Sequence, residues 1–170
     1  KAYGSSYKGG WFSVTSLRGY GVGSSTIQMA ATVETNRERC ESSFLSQKRQ
    51  LVRDHYDRIA DKRESWIRRN AYYYRRLTQF LQSVIEPHRR VLQICSDTGY
   101  LLAAVQPSYG VGIDVSERLV EVAQRLHPNL HFEVQDPEQL SLQETFDHVL
   151  VTSLNDVVDI QAALLQLHKV

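Results

Sequence analysis

Apolar residues recur at three- and four-residue intervals from Trp66 through Asn70, Tyr73, Leu77 and Phe80 or Leu81 to Val84. That period predicts a helix with one apolar stripe, Tyr73 facing the core among the three consecutive tyrosines 72 to 74. A shorter stripe at Leu51, His55 or Tyr56, and Ile59 precedes it, so the helical pattern runs from about Asn36 to Glu86. Pro87 ends it, because the residue before a proline is pushed out of the helical region. After that the pattern changes period. Short apolar runs, VLQIC (91–95), GVGID (110–114), LHFEV (130–134) and FDHVLVT (146–152), alternate with helix-like stretches at 100–105, 117–126 and 157–167. VLQIC and HVLVT are nearly continuous in apolar residues, as expected of parallel strands covered on both faces. The alternation predicts an α/β fold: a doubly wound, mainly parallel, Rossmann-like sheet of about four strands, preceded by N-terminal helices.

Composition divides the chain further. Residues 1 to 35 hold six of the nine glycines, with Ser, Thr and Tyr between them, and read as a flexible tail. Residues 36 to 90 carry fourteen Lys/Arg against seven Asp/Glu, whereas residues 91 to 170 carry three against eleven. The expected organisation is therefore a tail (1–35), basic helices (36–87) and a sheet domain (88–170). The basic helices raise the alternative of a nucleic-acid-binding module, but the acidic half counts against it. No apolar run reaches the roughly 18 residues needed to span a membrane, and no secretory signal is evident. With two cysteines and no CxxC pair, the chain is expected in the reducing cytoplasm.

Ligands of such sheets sit beyond the carboxyl ends of the strands. Here the four strand ends supply Ser96-Asp97-Thr98-Gly99, Asp114, Asp136 and Ser153-Leu154-Asn155-Asp156. A phosphate-binding G-x-G-x-x-G loop is absent, and Asp97 would repel a phosphate. Acidic loops suit a ligand with hydroxyls and positive charge instead, and S-adenosylmethionine has a ribose, an ammonium group and a sulfonium. Asp97 reads equally as an ammonium contact or as a charge at a helix N-terminus. The six histidines form no metal-ligand set, so no metal is expected.

The run VLQICSDTGYLLAAVQPSYGVGIDVSERLVEVAQRLHPNLHFEVQDPEQL, followed by FDHVLVTSLNDVVDIQAALLQLHKV, resembles the first part of a class I S-adenosylmethionine-dependent methyltransferase. It is most similar to bacterial methyltransferase domains that accompany family 2 glycosyltransferases. HYDRIADKRESWIRRNAYYYRRLTQFLQSVIEP resembles the helices such enzymes lay over the cofactor as a lid. The resemblance implies that Asp114 holds the ribose hydroxyls, that Asp136 meets the adenine amino group, and that Gly99 lets the loop pack on the cofactor. It implies a small-molecule or glycan acceptor, a fused glycosyltransferase domain, and a sheet whose later strands lie beyond Val170. Gln93, Cys95 and Asp97 stand where the family's loop has an acidic residue and its first two glycines. That departure motivates a rival reading, a methyltransferase-like scaffold without catalysis. No catalytic residue is assigned; His55, Asn155 and Asp156 are candidates for a general base.

Overall fold

The computed structural model describes the backbone of residues 24–154 and 157–170, and side chains from residue 42 onward. Expectations for residues 1–23, and for Asn155 and Asp156, lie outside the described residues. The chain divides into two units, Lys1–Phe44 and Leu45–Val170. The first is described as helix from Ser24 on, inside the stretch expected to be a tail. No glycine or proline occurs between Ser24 and Arg69, so nothing in the backbone chemistry interrupts α1 (Ser24–Arg69).

In the second unit α1 ends at Asn70, whose N–H donates to the carbonyls of both Trp66 and Ile67 at 3.1 Å. α2 (Ala71–Val84) follows. Then come β1 (Arg90–Ile94), α3 (Tyr100–Ala104), β2 (Tyr109–Asp114), α4 (Glu117–Leu126), β3 (His131–Val134), β4 (His148–Val151) and α5 (Ile160–Leu167). The sheet order is β3-β2-β1-β4, with every neighbouring pair parallel. This is the expected Rossmann-like α/β fold. Because β1 lies between β2 and β4, the chain reverses its direction of travel across the sheet beside β1, where such folds open a crevice.

Side chains of β1 alternate between two cores. Val91 joins a cluster with Ile67, Tyr74, Leu81, Leu102, Val120 and Phe132, contributed by helices on one face. Leu92 and Ile94 join Val111 and Ile113 on the other, against Leu140, Phe146, Val149 and Leu167. Both faces are covered, which is why the strand reads as one apolar run.

Of the stripe expected on α2, Leu77 and the alternative Leu81 pack on the core, but Tyr73, Phe80 and Val84 do not. Tyr74, Leu81 and Ile85 are buried, whereas Tyr73, Phe80 and Val84 are more than half exposed. Trp66 is also exposed, and Ile67 takes the core position. The turn at Asn70 breaks the phase between the two helices, so a stripe drawn through both cannot follow the core.

Candidate functional site

The loop after β1 has an unusual backbone. Cys95, Asp97 and Gly99 have φ of 49°, 54° and 77°, so every second residue is left-handed. Those are the positions at which the family resemblance places glycines, and here two of them carry side chains. Asp tolerates this region better than most residues; for Cys95 the strain is on the order of 1 kcal/mol. Neighbouring hydrogen bonds hold it. Ser96 N–H donates to the Ile113 carbonyl and Gly99 N–H to that of Ser96, both at 2.9 Å. Asp97 N–H donates to Asp114 Oδ2 at 3.0 Å.

Asp114, at the end of β2, is buried. Its other oxygen, Oδ1, accepts from Ser116 N–H at 3.0 Å. The carboxylate thus ties together the loops after β1 and β2, and its fixed orientation aims it at the crevice. Ser116 caps α4 by accepting from Leu119 N–H at 3.1 Å, and its hydroxyl donates to Asp57 Oδ1 on α1 at 2.6 Å.

After β3, Asp136 Oδ1 accepts from Glu138 N–H at 2.9 Å in a tight turn. Glu138 is itself buried, and Oε1 accepts from Val158 and Asp159 N–H, both at 2.7 Å, just before α5. Its other oxygen pairs with Arg49 of α1, which also lies 3.3 Å from Asp136 Oδ2. The hydrogen bond to Glu138 is the main reason the Arg49 guanidinium holds its proton more tightly than usual. Glu138→Gln should keep an oxygen for the two amides but remove the ion pair, costing about 1 to 2 kcal/mol by chemical denaturation.

Arg63, two turns before Asn70, pairs with Asp97. Its Nη2 lies 3.3 Å from the Tyr74 hydroxyl, and its guanidinium carbon sits 4.5 Å above the Trp66 ring. Burial lowers the Arg63 pKa, but the hydrogen bond and charge of Asp97 outweigh it, and the net shift is upward. Burial raises that of Tyr74, which stays protonated.

One pocket gathers these groups. Its walls include Asp97, Asp114, Asp136 and Glu138 from the strand ends, Arg49, Arg53 and Arg63 from α1, and Tyr73 and Tyr74 from α2. On its floor Gln93, Ser96 and Thr98 are almost wholly buried, yet Gln93 Oε1, Ser96 Oγ and Thr98 Oγ1 find no hydrogen-bond partner among the described residues.

Three of the four residues singled out from sequence, Asp97, Asp114 and Asp136, therefore meet at this pocket. Gly99 is not on its wall. A Cβ there would lie 2.5 Å from the Phe132 ring, and one on Gly112 would lie 2.6 Å from it. The space that Gly99 leaves is filled by protein. His55 is exposed, packs edge-on against Tyr56 at 5.2 Å, and is not on the wall either. Sequence reading missed Arg49, Arg63 and Glu138. Arg49, Tyr56 and Arg63 are seven apart on one side of α1, a signal that hydropathy does not detect because that side is polar.

Behind the pocket His127 packs against Phe132, with ring centroids 6.4 Å apart. Burial pushes its pKa below the ordinary 6.5, with Glu64 acting weakly the other way. Above that pH neither folded nor unfolded chain protonates it, so it leaves stability unchanged. As pH falls through 6.5 the unfolded chain takes up a proton that the folded one resists, and stability is lost until the depressed folded value is passed. Urea midpoints should drop between about pH 7.5 and 5.5, and His127→Gln should flatten that dependence.

Among the described residues no group of three or more His, Cys, Asp or Glu is placed to hold a metal ion. No described helix is long and apolar enough to cross a membrane.

Residues 91–170 match a family described as a methyltransferase domain. No curated protein matches the chain. Among solved structures, an S-adenosylmethionine-dependent methyltransferase from Thermotoga maritima is 23% identical at a TM-score of 0.59, over 69% of this chain and 56% of its own. A complex of the Haloferax volcanii Trm112 methyltransferase activator with a candidate methyltransferase gives 25% identity and a TM-score of 0.50, over 58% and 45%. The complex of DhpI with SAH gives 18% and 0.53, over 59% and 51%. The chain thus spans about half the length of these structures. They share its parallel, Rossmann-like α/β fold.

Proposed function

We propose that the strand-end pocket binds S-adenosylmethionine and that the chain forms the cofactor-binding part of a methyltransferase. The observation that carries this reading is the meeting of Asp97, Asp114 and Asp136 on one wall at the switch point of the sheet. The match of residues 91–170 to a methyltransferase domain supports it.

The residues present fit the group. Asp114 presents a buried, oriented carboxylate to a pair of vicinal hydroxyls, and Asp136 offers an acceptor to an adenine amino group. Asp97 and Arg63 form an ion pair into which an amino acid's charged end can insert, its ammonium against the carboxylate and its carboxylate against the guanidinium. When bound, the sulfonium supplies the methyl group. The chain's own part is to fix the two reactants in line and keep water out, with Tyr73, Tyr74 and α1 over the strand ends. A glycan-linked acceptor and a fused glycosyltransferase domain rest on the sequence resemblance alone.

Two observations favour the rival reading of a scaffold. Asp97 and Asp136 already have arginine partners, and side chains occupy two left-handed positions of the loop. Calorimetric titration with S-adenosylmethionine separates the two. Saturable binding with one site per chain supports the methyltransferase, and a flat trace supports the scaffold.

A further inference from the structure

The stripe that α2 turns away from the core is itself apolar. Tyr73, Phe80 and Val84 are 59%, 62% and 60% exposed, and at spacings of seven and four residues they share one side of the helix. Tyr72 and Trp66 add further exposed aromatic surface at the same end of the unit. From Ser65 to Ile85 the chain holds four arginines, Arg68, Arg69, Arg75 and Arg76, and no acidic residue. All four are exposed, and none forms an ion pair with a described residue; Arg76 donates only to Gln79, at 3.0 Å. Solvated arginines and an apolar helix side are each ordinary alone. Arg68 and Arg69 close α1 and Arg75 and Arg76 lie on α2, where at about 100° per residue Arg76 flanks the apolar side and Arg75 lies across the helix from it. With no acid between the four, the segment favours a partner that rewards both charge and apolar surface.

We propose that this face of α2 docks on an anionic lipid surface. Phosphate headgroups match Arg76 at the edge of the stripe and the added positive field of Arg68, Arg69 and Arg75, while Phe80 and Val84 enter the headgroup–acyl boundary and the tyrosines and Trp66 sit at its polar edge. Nucleic acid would match the charge but give Val84 and Phe80 nothing to bury against. A second copy of the chain would bury the stripe but bring the Arg76 of each copy together. The stripe starts at Tyr73, which also lines the pocket, so docking would hold the pocket mouth at the lipid surface.

The test is co-sedimentation of the 170-residue chain with vesicles of phosphatidylcholine alone and of phosphatidylcholine mixed equally with phosphatidylglycerol. Binding should be at least about tenfold stronger to the mixed vesicles at low salt and should weaken as salt is added. Phe80→Glu should lower it by at least about tenfold, and Arg76→Gln by about fivefold, with circular dichroism unchanged since both side chains are exposed. Phe80→Ser serves as a second variant without added charge. In a Trp11→Phe background the emission of Trp66 should shift to the blue on binding. Absence of vesicle binding at low salt overturns the proposal, as does wild-type binding by both Phe80 variants. So does a single-stranded oligonucleotide that binds where vesicles do not, or a dimer in sedimentation velocity that Phe80→Glu dissociates.

Discussion

Asp114→Ala is expected to weaken S-adenosylmethionine binding by at least tenfold. Charge-assisted hydrogen bonds to two ribose hydroxyls contribute about 1.5 to 3 kcal/mol each, so losing one alone brings the affinity down by that factor. A second loss adds to it. Asp97 and Ser116 N–H both donate to this carboxylate, and its removal leaves two backbone donors at the crevice without their acceptor. The left-handed loop then keeps the Ser96–Ile113 bond to β2 but loses the one from Asp97. Asp114→Asn distinguishes the two contributions, since its amide keeps the shape and one acceptor but drops the charge. Calorimetry on both variants, with circular dichroism as the control for folding, measures the effect. Unchanged affinity in a folded Asp114→Ala protein would falsify the ribose assignment.

Gly99→Val should destabilise the fold itself by about 2 to 5 kcal/mol. Left-handed backbone costs a residue with a Cβ roughly 1 to 2 kcal/mol, and overpacking a filled core typically adds 1 to 3. Both apply, because φ is 77° and the new atom would meet the Phe132 ring at 2.5 Å. The two causes separate in a double-mutant cycle. Phe132→Leu removes the atoms in the way, so it should recover the overpacking part in the Gly99→Val background while the backbone strain persists. Additive denaturation energies would place the cost in the backbone alone.

The central strands were legible because β1 and β2 are covered on both faces. VLQIC and GVGID read as strands with limits within a residue or so of β1 and β2, and the helix at 117–126 coincides with α4. Asp97, Asp114 and Asp136 were found by counting strand ends, which needs no knowledge of side-chain direction. The helices were harder. Of the expected stripe Leu77 and Leu81 pack on the core, but Trp66, Tyr73, Phe80 and Val84 face outward, since apolar periodicity gives a face and not what the face meets. Tyr74 is the tyrosine in the core. Arg49, Arg63 and Glu138 escaped because their partners lie 34 to 89 residues away, and a charged residue on a helix reads as solvated until the fold brings its partner near.

Arg63, Asp57 and Arg49 attach α1 in turn to the loops after β1, β2 and β3. Attachments of this kind, polar and partly reached by water, open more readily than a packed strand. Amide hydrogens between residues 49 and 63 should therefore exchange with deuterium through local fluctuation, while those of β1 wait for global unfolding. A ligand bridging Asp97 and Arg63 would slow the first group and leave the second at its own rate. The isotope content of one stretch of helix would then report how full the pocket is.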